Sequence, residues 1–293
     1  MKTKPIPPVR LLSATAALRD RCLQALRWPL VRIALAWAMV SIPVLILAPL
    51  LDALQIAAWL RRLLLTAVVV AAYVGYRRLV EREHPRELAM QGIWREAGAG
   101  VLCGALAFCL VIAMLAALGV YRIDGVNDWR LLLTAFPGSL RTAVTEEILF
   151  RAVVFRILEQ RYGSIAALTV SALVFGATHL GNPASTVYSA TAIAIEAGVM
   201  LAAAYMLTRR LWLCCGLHLG WNFLQGAVFS GAVSGNVQNG LFQSHMSGPA
   251  WLTGGAFGVE ASPLAVLVCA ALGAGLLVAA YRRGQFLGGS RDR

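Results

Sequence analysis

The chain has 293 residues, of which 59% are hydrophobic and 14% charged, with a formal net charge of +12. A soluble domain carries about 25% charged residues, so a water-soluble fold is excluded. The basic excess sits in short pieces between apolar runs, which excludes a nucleic-acid-binding surface and matches the topology signal of a membrane protein.

Two stretches without any Asp, Glu, Lys or Arg, Ala97–Tyr121 and Leu211–Val259, exceed the roughly 20 apolar residues that cross a bilayer. Read in chain order, the expected spans are 31–52, 58–76, 97–120, 134–158, 163–181, 187–208, 211–231 and 261–281. The expected fold is therefore all-α: a polytopic transmembrane helix bundle of about eight spans in a single domain. An N-terminal segment, 1–30, precedes the first helices, 31–130. A core follows at 131–231, and 232–293 supplies an outer loop, a last helix and a basic tail. The segment 77–96 reads as an amphipathic, charge-laced helix with a solvated charged face. The stretch 231–262, rich in Gly, Ser and Asn, reads as a loop folded back on the membrane. With both termini in the cytosol, 19 Lys and Arg fall on the cytosolic side and 4 outside. The expected location is a bacterial inner membrane with both termini cytosolic. The six cysteines show no C-x-x-C spacing, so neither a zinc nor a redox motif is supported.

The span 134–158 departs from the others by carrying Arg141, Glu146, Glu147 and Arg151. Each ionisable group at the centre of a membrane helix costs about 2.5–3.5 kcal/mol on insertion scales, so such groups mark function. Arg151 is four residues after Glu147, the favourable order for an ion pair. Glu146 points about 100° away, without that partner, and suits a general base or acid. His179 lies one turn after Phe175 on the next span. His218 and Asn222 share one face of the seventh. A Glu and a His could share a nucleophilic water, and a second His and an amide could donate to an oxyanion. Glu196, alone in the sixth span, reads as a structural hydrogen bond or a cavity contact. Arg141 reads as a partner for a carboxylate.

The patterns E-E-x-x-x-R, F-x-x-x-H and H-x-x-x-N on successive helices resemble the three motifs of the CPBP family. That family includes the CAAX prenyl endopeptidases and bacterial bacteriocin-processing or immunity proteins. The resemblance covers 134–231. It implies an intramembrane glutamic endopeptidase in which Glu146 and His179 activate water. Glu147 and Arg151 would orient the site, and His218 and Asn222 would form the oxyanion hole. It implies no metal and no other cofactor. The expected partners are the bilayer and a membrane-associated protein or peptide substrate, prenylated in part of the family; no nucleic acid is expected. H-E-x-x-H and G-x-S-x-G are absent, against zinc and serine mechanisms. A carboxylate–histidine metal site, a proton-coupled transporter and a non-catalytic scaffold or immunity protein are the competing readings. Access to the site is expected from the cytosolic rim.

Overall fold

A computed structural model describes residue 26 and residues 28–289. The expected segment 1–30 therefore lies largely outside the described residues, as does the end of the basic tail, 290–293. Helix α1, Pro29–Ala53, starts on a proline at its first position, where the missing N–H would have had no intrahelical partner. Helix α2, Ala58–Gly75, continues through a π turn, Tyr76–Val80. Helix α3 is Ile93–Ala117 and strand β1 is Tyr121–Val126. Then α4, Arg130–Glu147, runs through a π turn, Ile148–Phe155, into α5, Arg156–Tyr162. After α6, Ser164–Thr178, comes α7, Val187–Ile193, which continues through a π turn, Ala194–Val199, into α8, Met200–Thr208. Helix α9, Leu211–Asn222, ends in a π turn, Phe223–Val228. Strand β2, Phe242–Met246, short α10, Ala250–Thr253, and α11, Pro263–Arg282, complete the chain.

All eight expected spans are helical. Six helical stretches are long and apolar enough to cross a membrane: Pro29–Ala53, Ala58–Val80, Ile93–Ala117, Ser164–Gly181, Val187–Thr208 and Pro263–Arg282. The protein is an integral membrane protein of the all-α class. The two remaining runs, 130–162 and 211–228, carry Glu146, Glu147, Arg151, His218 and Asn222, and those polar groups lower their hydropathy. Both lie inside the bundle, where neighbouring helices shield polar side chains from lipid. Burial grades the others: the Val187–Thr208 window is 72% buried and the Pro29–Ala53 window 11%, so the former is central and the latter faces lipid.

Helix α9 packs most extensively on α3, and four glycines explain the close approach. Gly100 and Gly104 on α3 face Gly216 and Gly220 on α9. A Cβ at Gly104 would meet Trp221 N at 2.9 Å, and one at Gly220 would meet Val101 C and Cα at 3.0 Å. Two G-x-x-x-G faces thus let the backbones touch. That arrangement drives association where lipid offers no hydrophobic gain.

The segment 77–96 is not the solvated helix its charges suggested. It is a π turn followed by turns and a short 3₁₀ segment, Arg86–Leu88. Part of its charge folds inward, with Arg77 and Glu87 buried and Glu81 half-buried, while Arg78, Arg82, Glu83, Arg86 and Arg95 stay exposed. Glu81 is the hub of an ionic layer: it pairs with Arg77, with Arg32 at 2.5 Å and with Arg156 at 2.9 Å. Glu87 accepts from Tyr73 and pairs with Arg77 at 3.1 Å. Burial pushes the Glu81 carboxyl up, but the guanidiniums of Arg156, Arg32 and Arg77 together outweigh it and hold the group at about 2. Arg209–Glu159 at 2.5 Å and Arg210–Glu96 extend the layer across the same end of the bundle.

At the opposite end the 231–262 segment folds over the helices. Its β2 pairs antiparallel with β1, from Tyr121 opposite Met246 to Val126 opposite Phe242, with a bulge at Asp124. This two-stranded ribbon is the one sheet among the described residues. It anchors the loop whose residues 233–238 close over the bundle.

Candidate active site

Glu147, on the last turn of α4, is fully buried. Arg151, one turn on, grips it through Nε–Oε2 at 3.1 Å and Nη1–Oε1 at 3.2 Å. That is the bidentate fork that guanidinium and carboxylate form best. The other side of Arg151 is held too. Nη2 donates to Ala197 O at 2.8 Å and Gly198 O at 3.3 Å, both in the π turn after α7, where the looser winding exposes carbonyls. Its guanidinium also lies over the Phe175 ring, 4.6 Å from the centroid. Glu147 Oε1 then takes His218 Nδ1 at 2.8 Å. With Nδ1 turned to the Glu147 carboxyl, Nε2 of His218 is left for the cavity.

Glu146 turns into that cavity, as the helical rotation required. Its Oε2 lies 3.9 Å from His218 Nε2, and its side chain is 28% exposed against 0% for Glu147. The two adjacent carboxylates therefore differ sharply in environment, which is how one site separates acid–base roles. Phe175 O accepts from His179 Nδ1 at 2.8 Å, so His179 also keeps Nε2 available. Phe175, the first residue of F-x-x-x-H, thus covers Arg151 with its ring and fixes His179 with its carbonyl. Glu146, His179, His218 and Asn222 line one cavity of about 560 Å³, within the size range of ligand sites. Of the six expected site residues, Glu147 and Arg151 stand behind this wall and the other four form it.

Residues 127–224 match the family model for type II CAAX prenyl endopeptidase, Rce1-like. Over that stretch the chain is similar to the CAAX-type proteases of the CPBP family. No curated protein and no solved structure matches the chain. The matched CPBP stretch holds all three motifs and runs from the residues before α4 into the π turn after α9. A CAAX-type intramembrane protease is thereby indicated, and its family acts on membrane-associated, prenylated proteins.

The cavity contains more than the motifs. Glu196, on the π turn after α7, is buried in its wall. The hydrogen bond expected for it is weak: Cys269 Sγ lies 3.8 Å from Oε1, and Oε2 has no hydrogen-bond partner among the described residues. Glu260 lines the same cavity and was not singled out from sequence. Its Oε2 accepts from Ser234 N at 2.6 Å and Ser234 Oγ at 3.3 Å. Burial raises the Glu260 carboxyl to about 7, against those hydrogen bonds and the one from Gln225. The available signal was that Glu260 ends the 49-residue charge-free run.

Arg141 also departs from expectation. Among the described residues it makes no ion pair, and it lines the cavity together with Arg62. The loop residues Asn182, Ser234, Asn236 and Gln238 line it too, so the cavity reaches the end opposite the ionic layer. Access from the charged rim is therefore corrected: the 231–262 segment, not the 77–96 turn, borders the site. Among the described residues no three His, Cys, Asp or Glu side chains are arranged to hold a metal ion.

Proposed function

We propose that this protein is a glutamic intramembrane endopeptidase that hydrolyses a peptide bond near the end of a membrane-associated protein or peptide, without a metal. The observation that carries the reading is the meeting of half-exposed Glu146 with His179, His218 and Asn222 in one cavity. Glu147 and Arg151 are locked behind them.

In this reading a water between Glu146 and His179 Nε2 gives its proton to the Glu146 carboxylate as its oxygen attacks the carbonyl carbon. The developing oxyanion takes hydrogen bonds from the Asn222 amide and from Nε2–H of His218. Since His218 Nδ1 already donates to Glu147, a donating Nε2 makes the ring an imidazolium. The buried Glu147 carboxylate supplies its counter-charge. The tetrahedral intermediate then breaks its C–N bond, and the proton on Glu146 moves to the leaving amine. Arg151 acts through Glu147 and is a positioning residue. Placing the ionic layer in the cytosol satisfies the Lys and Arg bias and leaves the cavity reaching toward the outer side.

The test is cleavage of a fluorogenic peptide library, prenylated and unprenylated, by detergent-purified wild type and Glu146→Gln, with and without a chelator. Wild-type cleavage that is lost in Glu146→Gln and unmoved by the chelator supports the reading. Cleavage lost to the chelator would make the site metal-dependent. No cleavage by wild type of any library member would favour a scaffold or a carrier.

A further inference from the structure

Beside the catalytic cavity lies an annex of about 230 Å³ that shares Arg62, Arg141, Thr142, Asn222 and Gln238 with it and adds Ser139. Its lining contains two guanidiniums, two hydroxyls and two amides, and no carboxylate. The Arg62 guanidinium lies across α4, donating Nη1 to Thr134 O at 2.9 Å, with Cζ 3.6 Å from where a Cβ at Gly138 would stand. Its neighbour Arg61 is neutralised by Asp52. Among the described residues neither Arg62 nor Arg141 has an acidic partner. Glu146 is the carboxylate that acts on Arg141 electrostatically, and it lies beyond ion-pair distance. Two like charges lining one polar recess call for an anion from outside the fold.

We propose that Arg62 and Arg141 bind the α-carboxylate of the substrate's C-terminal residue and so measure how far from the chain end Glu146 cuts. This rests on the endopeptidase reading. Arg141 precedes Glu146 by five residues on one helix, an axial offset of about 7.5 Å at 1.5 Å per residue. An extended peptide advances about 3.3 Å per residue, so a carboxylate held there puts a bond two to three residues from the end over Glu146. Guanidinium pairs suit a carboxylate through forked hydrogen bonds, and the Thr142 and Ser139 hydroxyls stand beside them. A phospholipid headgroup offers the same anionic chemistry. The recess opens into the catalytic cavity, which favours the peptide.

The experiment measures binding to Glu146→Gln in detergent. Two fluorescein-labelled, farnesyl-cysteine peptide pools with their last three positions randomised are compared, one ending in a free carboxylate and one in an amide. The expected result is that the free acid binds about 10- to 100-fold tighter, the range for a charge-assisted pair. Adding Arg141→Gln, or separately Arg62→Gln in case one variant does not fold, equalises the two pools. Equal binding of acid and amide, or a preference that survives both substitutions, overturns the proposal. So does displacement of both pools alike by phosphatidylglycerol that disappears with Arg141→Gln, which would make the recess a lipid site. Wild-type cleavage of the same pools runs in parallel. An acid preference in binding without any cleavage would retain the carboxylate site and refute the endopeptidase reading instead.

Discussion

Replacing Gly220 with alanine adds one methyl group to α9, between His218 and Asn222, at the point where α9 touches α3. On an isolated helix that change gains about 0.5–1 kcal/mol, because glycine loses the most backbone freedom on folding. Here the new Cβ would stand 3.0 Å from Val101 C and Cα and closer still to Val101 O. Those atoms are backbone and cannot swing aside, so α9 has to move off α3. Overpacking of this kind costs about 1–3 kcal/mol, which outweighs the propensity gain and leaves a net loss of roughly 1–2 kcal/mol. The shift carries His218 and Asn222 with it, and a displacement of about 1 Å at a reacting centre can cost about 100-fold in rate. The matched control is Gly98→Ala on α3, where a Cβ meets nothing within 4 Å. Thermal unfolding in detergent and peptide cleavage should show Gly220→Ala less stable and at least tenfold slower, with Gly98→Ala equal to or more stable than wild type. A Gly220→Ala protein as stable and active as wild type would refute the argument that direct backbone contact sets the position of α9.

Arg151→Lys keeps the charge but loses the fork on Glu147, and with it the fixed bonds to Ala197 and Gly198 and the stacking on Phe175. Stability should fall by about 2 kcal/mol or more, and kcat should fall more than KM rises, as read from steady-state cleavage; an unchanged kcat would remove Arg151 from the positioning role. Glu260 should make stability pH-dependent. Its native carboxyl, raised from 4.5 to about 7, keeps a proton that the unfolded chain gives up near 4.5. Stability should therefore decline as pH rises from about 4.5 to 7 and then level off, by up to about 3 kcal/mol at 1.36 kcal/mol per pKa unit. Melting curves of wild type and Glu260→Gln across pH 4.5–8 should converge at the acid end and separate toward neutrality, with the glutamine variant the more stable. Parallel curves would mean that Glu260 titrates as an ordinary surface carboxylate.

Much of the site could be read before any helix was packed. The i, i+4 spacing of Glu147 and Arg151 is local geometry, and so is the shared face of His218 and Asn222. Hydropathy located the eight helices because each must satisfy its own backbone in lipid. The G-x-x-x-G pairs at 100–104 and 216–220 were not singled out from sequence, because the pattern acquires meaning only once α3 and α9 are known to meet. Adjacent Glu146 and Glu147 are the same residue type, and sequence alone says only that they diverge by about 100°. Burial at 0% against 28%, and the choice of His218 as Glu147's second partner, come from α9 lying against α4. The 77–96 segment misled for a related reason. Charge on a non-apolar segment suggests solvation, but Glu81 and Glu87 meet Arg32, Tyr73 and Arg156 from distant helices and are buried by them.

The sequence by itself determined that this chain lives in a membrane as a helix bundle, and which polar side chains are the candidates for its chemistry, because bilayer length and helical period act within single segments. Only the tertiary structure decided the division between a locked carboxylate and an accessible one. It also decided the membership of Glu196, Glu260, Arg62 and Arg141 in the cavity, and the end of the bundle that the cavity reaches. Those depend on residues far apart in the chain being desolvated together, a contact energy that no local pattern encodes.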